Sequence, residues 1–161
     1  MKHRRFQQPA HPALARARLS PRREALVYWV FGLLWFSGVG WLVFHYFLRQ
    51  ASEFGEMPHA LEAWWLRLHG AGAFAGLWLI GLLWAIHLLP GWKARRRPSG
   101  IVLSVLTAVL VLSGYLLYYA GGERVHAVVA LAHWLIGLAL PLPLLLHGLR
   151  GRRAHEGRRA T

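Results

Sequence analysis

Residues 125–148 read VHAVVALAHWLIGLALPLPLLLHG. The run is long and apolar enough to cross a bilayer, which takes about 20 residues of helix. It also carries three histidines, His126, His133 and His147. An imidazole inside hydrocarbon is costly, so each of these needs a bonding partner or a function. A second run, Leu61 to Leu89, carries His69 and His87. Fold and function both turn on whether these two sets of histidines face each other.

Outward from that stretch the apolar residues come in blocks, not in periods of two or 3.6. The chain has 161 residues and is 56% hydrophobic. Four blocks are long enough to span: 25–48, 61–89, 101–120 and 125–149. The reading is an all-α membrane protein, one four-transmembrane-helix up-down bundle over residues 25–149. A basic arm, residues 1–24, precedes it and a basic tail, residues 150–161, follows, both expected to be unstructured.

The net charge is +13, which raises nucleic acid as a partner. Placement excludes it. Of the 19 basic residues, 16 fall in the arm, in the 93–97 connection or in the tail, all on one side of a four-pass chain. The other side holds Arg49, Arg67 and Arg124 among Glu53, Glu56, Glu62 and Glu123. This positive-inside pattern puts both termini in the cytoplasm, and the natural partner is the bilayer of an inner (plasma) membrane. The segment SPRREAL, residues 20–26, resembles a twin-arginine signal, but the block after it has no cleavage site, so it is read as an uncleaved first helix. With no cysteine, disulfides, thiolate metal sites and covalent c-type haem attachment are excluded.

Within the blocks, Ser99 is placed to cap the third helix, and Ser104, Thr107 and Ser113 to bond their own backbone. His59 reads as a solvated loop residue, and Arg67, Arg124, Arg150 and Arg152 as topological charges.

The second and fourth helices run in the same direction, so their residues can be matched by depth. His69 and His133 each lie about eight residues in, roughly 12 Å below the outer end. His87 and His147 each lie in the last turn before the inner surface. His69 and His87 are 18 residues apart, five turns of a helix, and so share a face. His133 and His147 are 14 apart, about 40° short of whole turns. The two spacings leave a mismatch of about 6 Å in depth. Pro141 and Pro143 lie between the two histidines of the last helix and are placed to kink it. Ala73, Gly76 and Gly137 share the histidine faces and would leave room for a flat ligand.

Zinc would want more ligands, and no carboxylate or thiol accompanies these histidines at depth. Two imidazoles suffice for the axial positions of a haem, because the porphyrin supplies the other four nitrogens. Four helices, histidines facing across the second and fourth, and a 14-residue His–His spacing on the last resemble the four-helix membrane cytochromes b. That group includes the cytochrome subunits of formate dehydrogenases and nickel–iron hydrogenases, and the likeness covers residues 25–150.

The resemblance implies two haem b groups, an outer one on His69 and His133 and an inner one on His87 and His147. His45, on the first helix, and His126 are reserve ligands. It further implies a redox partner protein or a quinone, and an electron-transfer subunit more than a stand-alone catalyst. Two competing readings stand beside it. One is a non-redox scaffold, assembly factor or transporter subunit with structural or pH-sensing histidines. The other is metal-ion handling by His45, His59 and His126 at the outer face.

Overall fold

In a computed structural model the described residues are 19–53, 55–93 and 98–159, with only the backbone of Lys93 and of residues 153–159. Helix α1 is Pro21–Phe47. A short antiparallel hairpin follows, β1 Gln50–Ser52 paired with β2 Gly55–Met57. Helix α2 is Ala60–Leu83; it passes through a π turn, Trp84–Leu88, into α3, Leu89–Lys93. Helix α4 is Pro98–Tyr119. Helices α5, Glu123–Ala139, and α6, Pro141–Arg159, are separated by Leu140. These elements make four spans long and apolar enough to cross a membrane: Pro21–Phe47, Ala60–Trp92, Pro98–Tyr119 and Glu123–Arg152. That is the make-up of a multi-pass membrane protein.

The ends of the spans are set by caps and turns, so they differ from the ends of the apolar blocks. The first helix starts four residues before Ala25, because Ser20 accepts the Arg23 N–H at 3.5 Å and Pro21 occupies the first helical turn. The third begins at Pro98, ahead of Ser99. The link between α4 and α5 closes in three residues, with Gly122 at φ +92°, a backbone open to glycine at little cost. The expected tail is a correction: the backbone stays helical to Arg159, since helix propagation needs no apolar face. Of the expected N-terminal arm, residues 1–18 lie outside the described residues. The loop after the first span contains the β1–β2 hairpin, held also by Arg49 Nε on Glu56 Oε2 at 3.3 Å.

The first and second spans pack along each other. Gly72 lies under Leu34 and Leu33, Gly76 under Leu34 and Val30, and Gly40 under the Trp65 ring. The third and fourth spans form the other pair, with Gly137 against Leu110. The pairs are tied where the first span meets the fourth. Trp35 Nε1 donates to the Leu138 carbonyl at 3.3 Å, Arg152 bonds Glu24 at 2.7 Å, and the Tyr28 hydroxyl lies against Gly148.

The second and fourth spans, which carry the paired histidines, have almost no backbone contact with each other. The small-residue expectation is therefore corrected in part. Gly76 and Gly137 serve packing within each helix pair; Ala73, one turn past His69, is exposed. Few side chains are buried: Leu79, Leu83 and Leu140 among the apolar ones, Ser37 and Ser113 among the polar. Large rings such as Trp29, Phe36, Phe74 and Trp78 point outward, as lipid-facing side chains do.

Candidate functional site

The four depth-matched histidines meet in two pairs. His69 and His133 have ring centres 6.2 Å apart with planes at 82°. His87 and His147 have ring centres 6.1 Å apart with planes at 85°. These rings bridge the two spans whose backbones stand apart.

His87 lies in a π turn, Trp84–Leu88, which takes up about one of the four residues by which the two spacings differ. A π turn winds five residues into a hydrogen-bonded loop where an α-turn winds four, so it takes up length without equal rise. The break at Leu140 before Pro141 is the second departure from ideal register, where Pro141 brings no N–H to the ladder.

Each outer imidazole is held from behind. The Ser37 hydroxyl donates its one hydrogen to the Leu34 carbonyl at 3.1 Å, so it accepts from His69 Nδ1–H, also at 3.1 Å. His69 Nδ1–H further reaches the Leu34 carbonyl at 3.0 Å. Likewise Ser113 donates to the Leu110 carbonyl at 3.2 Å and accepts from His133 Nδ1–H at 2.8 Å. A carbonyl or a committed hydroxyl can only accept, so both rings carry their proton on Nδ1 and their lone pair on Nε2. At the inner pair, Ser99 Oγ lies 3.1 Å from His147 Nδ1.

A glycine follows each of these serines. A Cβ at Gly38 would come within 3.3 Å of His69 Cε1, at Gly114 within 3.4 Å of His133 Cε1, and at Gly100 within 3.3 Å of His147 Cε1. Three Ser-Gly dipeptides thus seat three histidines: the hydroxyl fixes the ring's rotation and the missing side chain admits its edge. Reading the sequence alone missed this role for Ser37, and assigned Ser99 to a cap and Ser113 to its own helix. A signal was present. Ser99 and Ser113 are 14 residues apart, as are His133 and His147 on the antiparallel neighbour.

The ring-centre separations equal those of two imidazoles bonded in line to one metal. An imidazole nitrogen sits about 1.1 Å from its ring centre and a metal–imidazole bond is about 2.0–2.1 Å, so two in line put the ring centres roughly 6.2 Å apart. Two nitrogens do not complete a protein-only site. Among the described residues no group of three or more His, Cys, Asp or Glu comes together. The donor set suits a group that brings its own equatorial ligands, as porphyrin does.

The reserve ligands join neither pair. His45 bonds Glu62 Oε1 through Nδ1 at 2.7 Å and stacks on Trp41. His126 is exposed in the first turn of α5. His59, expected to be simply solvated, caps α2 by accepting the Leu61 N–H at 3.1 Å and rests on Phe44. Of the arginines read as topological charges, Arg152 is paired with Glu24, and Arg67 lies 4.8 Å from the centre of the Trp64 ring. No family model matches the chain, and no curated protein or solved structure shows significant similarity to it.

Proposed function

We propose that this chain is an integral membrane cytochrome of the four-helix b type that carries electrons through two bis-histidine haems. The observation that carries the reading is the pair of imidazole couples, 6.2 and 6.1 Å between ring centres, joining two spans whose backbones stand apart. His69 and His133 hold the outer haem, and His87 and His147 the inner one. A bound haem supplies a one-electron couple. The chain's own residues do the rest. The Nδ1–H bonds to Ser37 and Ser113 hold the outer rings and raise their basicity as ligands. Two imidazoles on one haem would leave it no open position for oxygen or substrate, which suits electron transfer over catalysis. The two levels are separated by roughly 21 Å along the fourth span, so electrons cross the bilayer by way of both.

The distribution of basic residues supports placement in an inner (plasma) membrane with both termini cytoplasmic. A redox protein or a quinone completes the path on either side. The role is that of an anchoring electron-transfer subunit.

The test is an oxidised and a dithionite-reduced visible spectrum of protein purified from haem-replete cells, with haem quantified against protein. Two b-type haems per chain are expected. His87→Ala and His147→Ala should each remove the same haem, and His69→Ala and His133→Ala the other. A colourless, fully folded preparation overturns the reading. It would support the second one, a non-redox scaffold in which serine bonds satisfy structural histidines.

A further inference from the structure

The second span carries an exposed cation. Arg67 lies seven residues into α2, roughly 10 Å along the axis from Ala60. An arginine at that depth of a membrane helix is costly unless its side chain reaches the polar boundary. Side chains on a helix lean toward its N-terminus, which for α2 is the end next to the hairpin. The Arg67 guanidinium leans that way, with its carbon 4.8 Å from the centre of the Trp64 ring, one turn back. It is thereby held at the level of Trp64 and Trp65, where tryptophans mark a membrane boundary. No carboxylate pairs with it among the described residues. The one acid of α2, Glu62, is engaged by His45, and Arg49 on the same side is bonded to Glu56.

Beside Trp64 runs a groove of about 310 Å³, lined by Leu61, Trp64, Trp65 and Leu68. These residues recur at i, i+3, i+4 and i+7, so they form one stripe of the helix. All four are apolar or aromatic, and Leu61, Trp64 and Leu68 are exposed. Arg67 flanks the stripe, about 60° round the helix from Trp64. A ring against the guanidinium covers one of its faces and leaves its N–H edge free to donate.

We propose that this face of α2 binds an anionic phospholipid, with the phosphate on Arg67 and the upper part of an acyl chain in the groove. Charge complementarity selects the headgroup. A forked guanidinium without a carboxylate, held at the membrane boundary, matches a phosphate in charge and geometry. The apolar stripe running inward from it matches the chain that descends from that phosphate. A headgroup with its own cation, such as choline, sets like charge against Arg67, so a net anionic lipid is preferred. The site is independent of haem.

The experiment uses the full chain in phosphatidylcholine vesicles. Because the protein has no cysteine, Ala71→Cys places a single fluorophore one turn past Arg67 on an exposed position. Its quenching by a small fraction of brominated phosphatidylglycerol is compared with that by brominated phosphatidylcholine of matched chains. The anionic lipid is expected to be enriched about fivefold at the label. Arg67→Gln should bring the two lipids level. Arg124→Gln, an equal loss of charge at the same end of the fourth span, should keep the enrichment. Leu61→Ala combined with Leu68→Ala should lower it. A label at Leu135→Cys, at matching depth on the exposed face of the fourth span, should show none. Equal quenching by the two lipids at Ala71, the same enrichment at Leu135, or enrichment that survives Arg67→Gln overturns the proposal. So does an equal loss in Arg67→Gln and Arg124→Gln, which would make the preference one of overall charge.

Discussion

At the scale of single residues, the outer histidines are defined by what lies behind them. Ser37 and Ser113 are the buried polar side chains of the described chain, and both accept an imidazole N–H. Burying a hydroxyl in a membrane bundle is costly unless its bonds are met, and here the histidine meets them. Ser113→Ala removes the hydroxyl that accepts the His133 Nδ1–H at 2.8 Å. With haem bound, it makes the imidazole a poorer donor to iron, which favours the reduced state. The outer haem should rise in potential by roughly 40 mV, the one-electron equivalent of about 1 kcal/mol for one hydrogen bond, while the inner haem holds still. Ser99→Ala should do the reverse. Spectroelectrochemical titration of the two haems reads both. The near-perpendicular ring planes, 82° and 85°, carry a further expectation. Crossed imidazoles leave two iron d orbitals close in energy, so the ferric protein should show the strongly anisotropic low-spin EPR signal of that arrangement. Parallel-plane spectra at both haems would contradict the ring geometry.

At the scale of elements, the second span matters most, because its 18-residue spacing meets a 14-residue one across the bundle. The π turn at Trp84–Leu88 takes up part of that difference. Deleting both Ala85 and Ile86 removes one residue more than the π turn takes up, so everything after it rotates by about 100°. The inner haem should be lost and the outer one kept, halving the haem-to-protein ratio. Helix packing gives a second contrast. A Cβ at Gly40 would fall 2.6 Å from the Trp65 ring, while one at Gly32 meets nothing within 4 Å. Gly40→Ala should cost about 1–3 kcal/mol through overpacking. Gly32→Ala should be neutral or favourable, as helix propensity gains up to about 1 kcal/mol. Thermal unfolding in one detergent compares them.

At the scale of the whole molecule, two helix pairs lean on each other through the first and fourth spans. Histidine rings complete the contact on the other side. Ligand binding to the folded state alone raises apparent stability by mass action, so the haem-loaded protein should melt at higher temperature than protein from haem-deprived cells. The Arg152–Glu24 pair, with Arg152 well exposed, contributes little by comparison. Orientation is checked with the absence of cysteine as an advantage. In intact cells, Ser52→Cys should react with an impermeant maleimide, and a cysteine at Arg152 should react only after lysis. The reverse pattern would overturn the cytoplasmic placement of both termini.

The number of spans, their approximate extents and the depth-matching of four histidines were legible in the sequence. Apolar length is a local property, and helix arithmetic carries a residue's depth without any knowledge of its neighbours. So were the kink site at Pro141 and the mismatch between spacings of 18 and 14. The π turn that takes up part of the mismatch was not legible, because it is chosen by long-range packing that no local propensity records. Nor was the partnership of serine and histidine, since a hydroxyl bonds its own helix in any sequence. Only the neighbour's position decides whether it also receives an imidazole N–H. The glycines show the same limit. Gly76 and Gly137 read as room for a flat ligand, yet both seat leucines, while Gly38 seats a histidine. His45 was a reserve ligand by its helix, but Glu62, brought beside it from the next span, holds it elsewhere. Sequence set which residues lie at each depth; tertiary structure alone set which of them touch, because contact depends on the rotation of each helix about its axis, fixed by every side chain packed along it.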